Sequence, residues 1–113
     1  MYERISIKDI IAFNRHFADG TMVNQSSLVF ALDQANKSGS WLRACAYLVR
    51  AVLIDHVFEE GNKRTAAAII VAFFEEQGIA FHPEHIAKAI TSILTKNTTS
   101  IINIERVIKN AII

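Results

Sequence analysis

Residues 66–74 read AAAIIVAFF, nine consecutive positions without a polar side chain. A helix built on such a run has no polar face to turn to water, so it is predicted to be the most buried helix of the fold. The chain around it is poor in breakers, with one proline and four glycines. Apolar residues elsewhere recur at helical spacing, which predicts further helices joined by short turns. Fifty-one per cent of the 113 residues are hydrophobic, enough for a core without disulfides or a structural metal. One domain, 1–113, is expected.

Five other helices are legible. Ser6 and Asp9 make a capping pair ahead of Ile7, Ile10, Ile11, Phe13, Asn14 and Phe17, which predicts a first helix ending near Gly20. TMVNQSS, residues 21–27, reads as a loop or a short hairpin. Ser27 then stands as the cap of a second helix bearing Leu28, Phe30, Ala31 and Leu32. KSGS is a turn, and Ser40 caps a third helix over 41–55. That helix is apolar on much of its circumference through Leu42, Ala46, Val49, Val52 and Leu53, so it is expected to be central. The AAAIIVAFF helix is expected over 63–77, with Gly78 ending it. Pro83 suits the first turn of a helix reaching about residue 96, and a last helix is predicted over 101–112. The sum is an all-α, compact bundle of about six helices.

Charge and cysteine content narrow the function. Twelve basic and eleven acidic residues leave a net charge of +1, with no block of like charge, which points away from a nucleic-acid partner. The longest apolar runs fall well short of the roughly 18 residues that span a bilayer, and MYERISIKDI lacks the apolar segment of a signal peptide. Cys45 is the only cysteine and reads as a small core side chain. A cytoplasmic protein without membrane or nucleic-acid partners is expected. HPEH, residues 82–85, places two imidazoles three apart, but no third metal ligand stands near, so solvated histidines at a helix start are expected. The tail IINIERVIKNAII is rich in isoleucine, and reads as a core helix or as the contact of a homodimer or protein partner.

The chemistry concentrates in HVFEEGNKRT, residues 56–65. The first amides of a helix lack internal acceptors, and the helix dipole adds positive potential there. Gly61, just ahead, permits backbone conformations in which successive amides converge on one point, the makings of an anion site. Lys63 and Arg64 in the first turn oppose the dipole unless an anion is bound. Glu60 beside a phosphate site suggests a divalent cation between them, and Mg²⁺ held by one carboxylate plus substrate phosphates is a common arrangement. His56 is suited to act as general base toward a hydroxyl near neutral pH. A plain capped helix start with solvated cations explains the same residues without any chemistry. A P-loop does not, because the upstream glycine of that motif is absent.

His56, Phe58, Glu60, Gly61, Asn62, Lys63 and Arg64 together resemble the signature of the Fic/Doc (Fido) family, H-x-F-x-[DE]-[GA]-N-[GK]-R-x-x-R. The resemblance implies a helical bundle with the signature between two central helices. His56 would be the base, Phe58 the structural anchor and Glu60 the Mg²⁺ ligand. Gly61, Asn62, Lys63 and Arg64 would hold the phosphates of ATP. Lys63 replaces the glycine of most adenylyl-transferring members, and Ala67 replaces the closing arginine. Both features look like the Doc (death-on-curing) toxin branch, which transfers a phosphoryl group to a protein Ser, Thr or Tyr hydroxyl. Gly61 and Glu60 lean the other way, toward adenylyl (AMP) transfer, and a catalytically silent binding module is the third alternative. The inhibitory pattern [ST]-x-x-x-E-[GN] is absent from the sequence, so either a separate antitoxin-like protein supplies the glutamate or the domain is unregulated. The family's target-docking flap, which adds a strand to its target, would fall near 20–27.

Overall fold

The computed structural model describes residues 4–112; the MYE that opens the chain and Ile113 of the isoleucine-rich tail lie outside the described residues. Six helices follow in order: α1 (Ile7–Arg15), α2 (Gln25–Lys37), α3 (Trp41–Leu53), α4 (Asn62–Glu76), α5 (Pro83–Thr95) and α6 (Ile101–Lys109). The bundle measures 33 × 30 × 26 Å. Among the described residues there is no strand, and no helix is long and apolar enough to cross a membrane.

The helix starts follow local chemistry. Ser6 and Asp9 form a reciprocal capping box on α1, Ser40 accepts the amide of Arg43 on α3, and Pro83 occupies the first turn of α5. Two expected boundaries are corrected. The cap of α2 is Asn24, which places Ser27 inside the first turn, where its hydroxyl donates to the Asp55 carboxylate instead. And α1 stops at Arg15, because the Asn14 carbonyl accepts the amides of both Phe17 and Ala18, at 2.9 and 2.8 Å, and closes the helix early. Gly78 ends α4 as expected, with φ +68° and the Ile79 amide reaching back 2.9 Å to the Phe74 carbonyl.

The core is centred on α3, which packs against α2, α4, α5 and α6 and buries eight of its thirteen residues. This corrects the expectation that α4 would be the most buried helix, since α4 buries six of fifteen. Helix α4 has neighbours in α1, α3 and α5, and Ala67, Ala68, Val71 and Ala72 remain half-buried along its seam with α1. Three of those four are alanines, whose small side chains expose little apolar area, so the missing polar face carries a small penalty. Cys45 is fully buried on α3, and burial pushes its thiol pKa up, which keeps it a neutral core side chain. Helix α6 buries Ile104 and Ile108 and leaves Ile102 exposed.

Segment 20–27 is not the hairpin that its sequence allows. Met22 forms an isolated antiparallel bridge with Phe58, flanked by bonds from Val23 N to Val57 O (2.8 Å) and from Glu59 N to Thr21 O (3.0 Å). The segment therefore lies along the 56–61 loop rather than folding back on itself. Helix α2 already begins at Gln25, so residues 20–24 are left to form the connection and are too few for two strands and a turn.

Candidate functional site

Between α3 and α4 the chain must reverse while keeping a polar loop at the surface. It does so by sinking two apolar side chains: Val57 and Phe58 are 0% and 1% exposed, whereas His56, Glu59 and Glu60 on either side are exposed. Phe58, the residue for which the resemblance implies an anchoring role, is therefore a core side chain. Its backbone is held as well. Asn62 accepts from the Phe58 amide at 3.1 Å and donates to the Phe58 carbonyl at 2.8 Å, closing the loop from the first residue of α4. The side chain of Asn62 is therefore turned to the loop, and its backbone amide is left without a protein acceptor among the described residues.

His56 sits at φ +50°, a conformation that costs a non-glycine residue free energy and persists only where its surroundings dictate it. Those surroundings are the start of α2. Asn24 donates to the Asp55 carbonyl at 2.9 Å, Ser27 donates to the Asp55 carboxylate, and Val57 O accepts the amides of Val23 and Asn24. With both neighbours of His56 clamped, its imidazole is carried outward on a fixed backbone.

At the other end of the loop Gly61 caps α4 at φ +78° and ψ +16°. Among the described residues no protein acceptor takes the amides of Gly61, Asn62, Lys63 or Arg64; the first amide of the helix with a partner is Thr65 N, which reaches the Gly61 carbonyl at 2.9 Å. Lys63 and Arg64 are exposed and form no ion pair among the described residues. Four free amides and two unpaired cations thus converge on one helix end, an electropositive point suited to an anion. Glycine is required there on two counts. A Cβ at Gly61 would stand 3.1 Å from Asn14 Nδ2 and 3.3 Å from Ala18 Cβ, and the positive φ disfavours any side chain. Gly61→Ala is expected to lose about 1–2 kcal/mol of stability by urea unfolding. A variant as stable as the parent would show that the turn relaxes freely.

Asn14 was legible only as part of the first helix's apolar stripe. It is fully buried, donates from Nδ2 to Glu60 O (2.8 Å) and Thr65 Oγ1 (3.0 Å), and accepts from Gly20 N at Oδ1 (2.9 Å). One side chain on α1 thereby joins three segments. A polar residue in a core stripe is itself the signal, because buried amides are almost always hydrogen-bonded. Thr65 is fully buried, accepts from Asn14 at the start of α4 and does not line the surface pocket.

These elements enclose a pocket of about 440 Å³. Its polar side is His56, Glu59, Glu60, Gly61, Asn62, Lys63 and Arg64; Phe17, Leu53 and Leu94 supply the apolar side. All the polar site residues singled out in the sequence meet here. Beyond Arg64 a groove continues past Ala67 and Val71, mostly apolar but with His16 and Glu75 also on its walls. Glu60 carries an exposed carboxylate with no protein partner among the described residues, and these residues hold no cluster of three potential metal ligands. A single free carboxylate is the donor that Mg²⁺ held mainly by phosphate oxygens would use. His82 and His85 pack edge to face with ring centroids 5.2 Å apart at the start of α5, where His85 Nδ1 is buried without a partner among the described residues. They lie outside the pocket. In comparisons with known proteins, no family model, no curated protein and no solved structure matches the chain.

Proposed function

We propose that the 56–64 pocket transfers a phosphoryl group from ATP to a protein hydroxyl, the reading that the resemblance to Doc-like members of the Fic/Doc family suggests. The observation that carries it is the convergence of an exposed histidine, a free carboxylate, four unpartnered amides and two unpaired cations on one pocket. In this reading His56 takes the proton of the incoming hydroxyl as its oxygen attacks the γ-phosphorus, and ADP leaves. The amides of Gly61, Asn62 and Lys63 and the Arg64 guanidinium bind the phosphate oxygens. Glu60 would hold Mg²⁺, which neutralises phosphate charge when bound. Met22, whose amide and carbonyl bond to no other backbone group among the described residues, offers a rung on which an extended target chain could dock. An antitoxin protein would supply the inhibition that the chain does not encode.

Phosphoryl transfer is favoured over adenylyl transfer by the groove beyond Arg64. The closing arginine of the signature would be a second guanidinium there to hold a longer polyphosphate reach, and Ala67 supplies none. The deciding experiment uses ATP labelled at the α or the γ phosphate, incubated with the protein and a cell lysate. Protein-bound γ label is the expected result. Bound α label would replace the reading with adenylyl transfer, and absence of both labels with unaltered ATP binding would leave a nucleotide-binding module.

A further inference from the structure

We infer that Asn14 is a positioning residue that sets which end of the Glu60–Gly61 peptide faces the pocket; its consequence for nucleotide rests on the phosphotransferase reading above. In a trans peptide the carbonyl and the following amide point in opposite directions. The Glu60 carbonyl is drawn inward by Asn14 Nδ2 at 2.8 Å, so the Gly61 amide on the same plane must point outward. That amide has no protein acceptor among the described residues, and Gly61 lines the pocket. A peptide preceding glycine is the one most able to turn over, because glycine accepts both signs of φ. Turned over, it would present a carbonyl oxygen to the phosphate instead of a donor. The bond from Asn14 opposes that reversal.

The rest of the Asn14 geometry supports a directional role over simple filling. The side chain is fully buried on α1, and its Oδ1 is held by Gly20 N at 2.9 Å, which fixes the amide so that Nδ2 faces the loop. The second Nδ2 bond goes to Thr65 Oγ1 at 3.0 Å, on the first turn of α4. The same nitrogen therefore references the turn to the helix that follows it.

The test pairs a direct measure of the amide with kinetics. Residual dipolar couplings of ¹⁵N-labelled protein report the Gly61 N–H direction relative to the helices. In Asn14→Ala the Gly61 coupling is expected to leave the value that the parent shows, with helix couplings retained. The KM for Mg·ATP is expected to rise about tenfold with kcat within about threefold, as for the loss of one donor aligned on a bound phosphate. Thr65→Val keeps the Glu60 bond and should leave both readouts at parent values. If Asn14→Ala does not fold, Asn14→Leu keeps the volume without a donor, and should show the same changes. An unmoved Gly61 coupling with unchanged KM overturns the inference, as does full reproduction of the effect by Thr65→Val. If the parent binds no ATP while the Gly61 coupling still shifts in the variant, the transferase reading fails and the structural role of Asn14 stands.

Discussion

Replacing His56 with alanine is expected to lower label transfer from ATP by about 10²–10⁴-fold while leaving the melting temperature within a few degrees of the parent. The side chain is exposed and makes no hydrogen bond among the described residues, so its removal leaves nothing buried or unpaired. The backbone sharpens the test. At φ +50° a glycine fits better than any L side chain, so His56→Gly should be as inactive as His56→Ala and no less stable. Such a pair of outcomes identifies a residue retained for chemistry at the expense of local strain. A marked fall in stability of His56→Gly would instead make His56 a structural element, and full activity of either variant would remove it from the mechanism.

The parts of this molecule that were legible in sequence are those set by near neighbours. Ser6, Ser40 and Pro83 begin helices because a cap acts within three residues, and Gly78 ends one for the same reason. The polar residues of the pocket were legible too, since the loop and helix start that carry them are contiguous. What escaped notice depends on distant partners. Asn14 reaches a carbonyl 46 positions away, and Ser27 reaches Asp55 across 28, so neither role is visible until the helices pack. Segment 20–27 is polar enough for a hairpin, and only the fold places Phe58 beside Met22. The relative burial of α3 and α4 was misjudged because an apolar run measures how much surface a helix can bury, whereas the number of packed neighbours decides how much it does.

Across the loop there is a division between strain and support. The two positive-φ residues, His56 and Gly61, are the ones expected to act on substrate through side chain and amide respectively. Each is flanked by side-chain clamps from elsewhere in the chain: Asn24 and Ser27 beside His56, Asn14 beside Gly61. None of these clamping side chains lines the pocket. A loop held in this way presents its donors without reorganising at the moment of reaction, which is the condition under which electrostatic stabilisation of a transition state is most effective.

Between those clamps the loop depends on Phe58, and Phe58→Ala is expected to have the largest effect on stability of any change in the motif. The ring is 1% exposed and among the largest fully buried side chains. Truncating a buried phenylalanine costs about 3–5 kcal/mol, a large share of the roughly 5–15 kcal/mol available to a domain of this kind. The melting temperature should fall by more than about 10 °C. Asn62 would remain able to bond the backbone of residue 58, so the loop need not unravel, but it would lose the weight that holds it in the core. Phe58→Leu separates these contributions: it retains most of the apolar volume and should cost about 1–1.5 kcal/mol. If the anchor works by placing His56 and Gly61, transfer by Phe58→Leu falls at temperatures well below its melting point. If instead activity follows the folded fraction alone, Phe58 contributes stability to the bundle and nothing specific to the pocket.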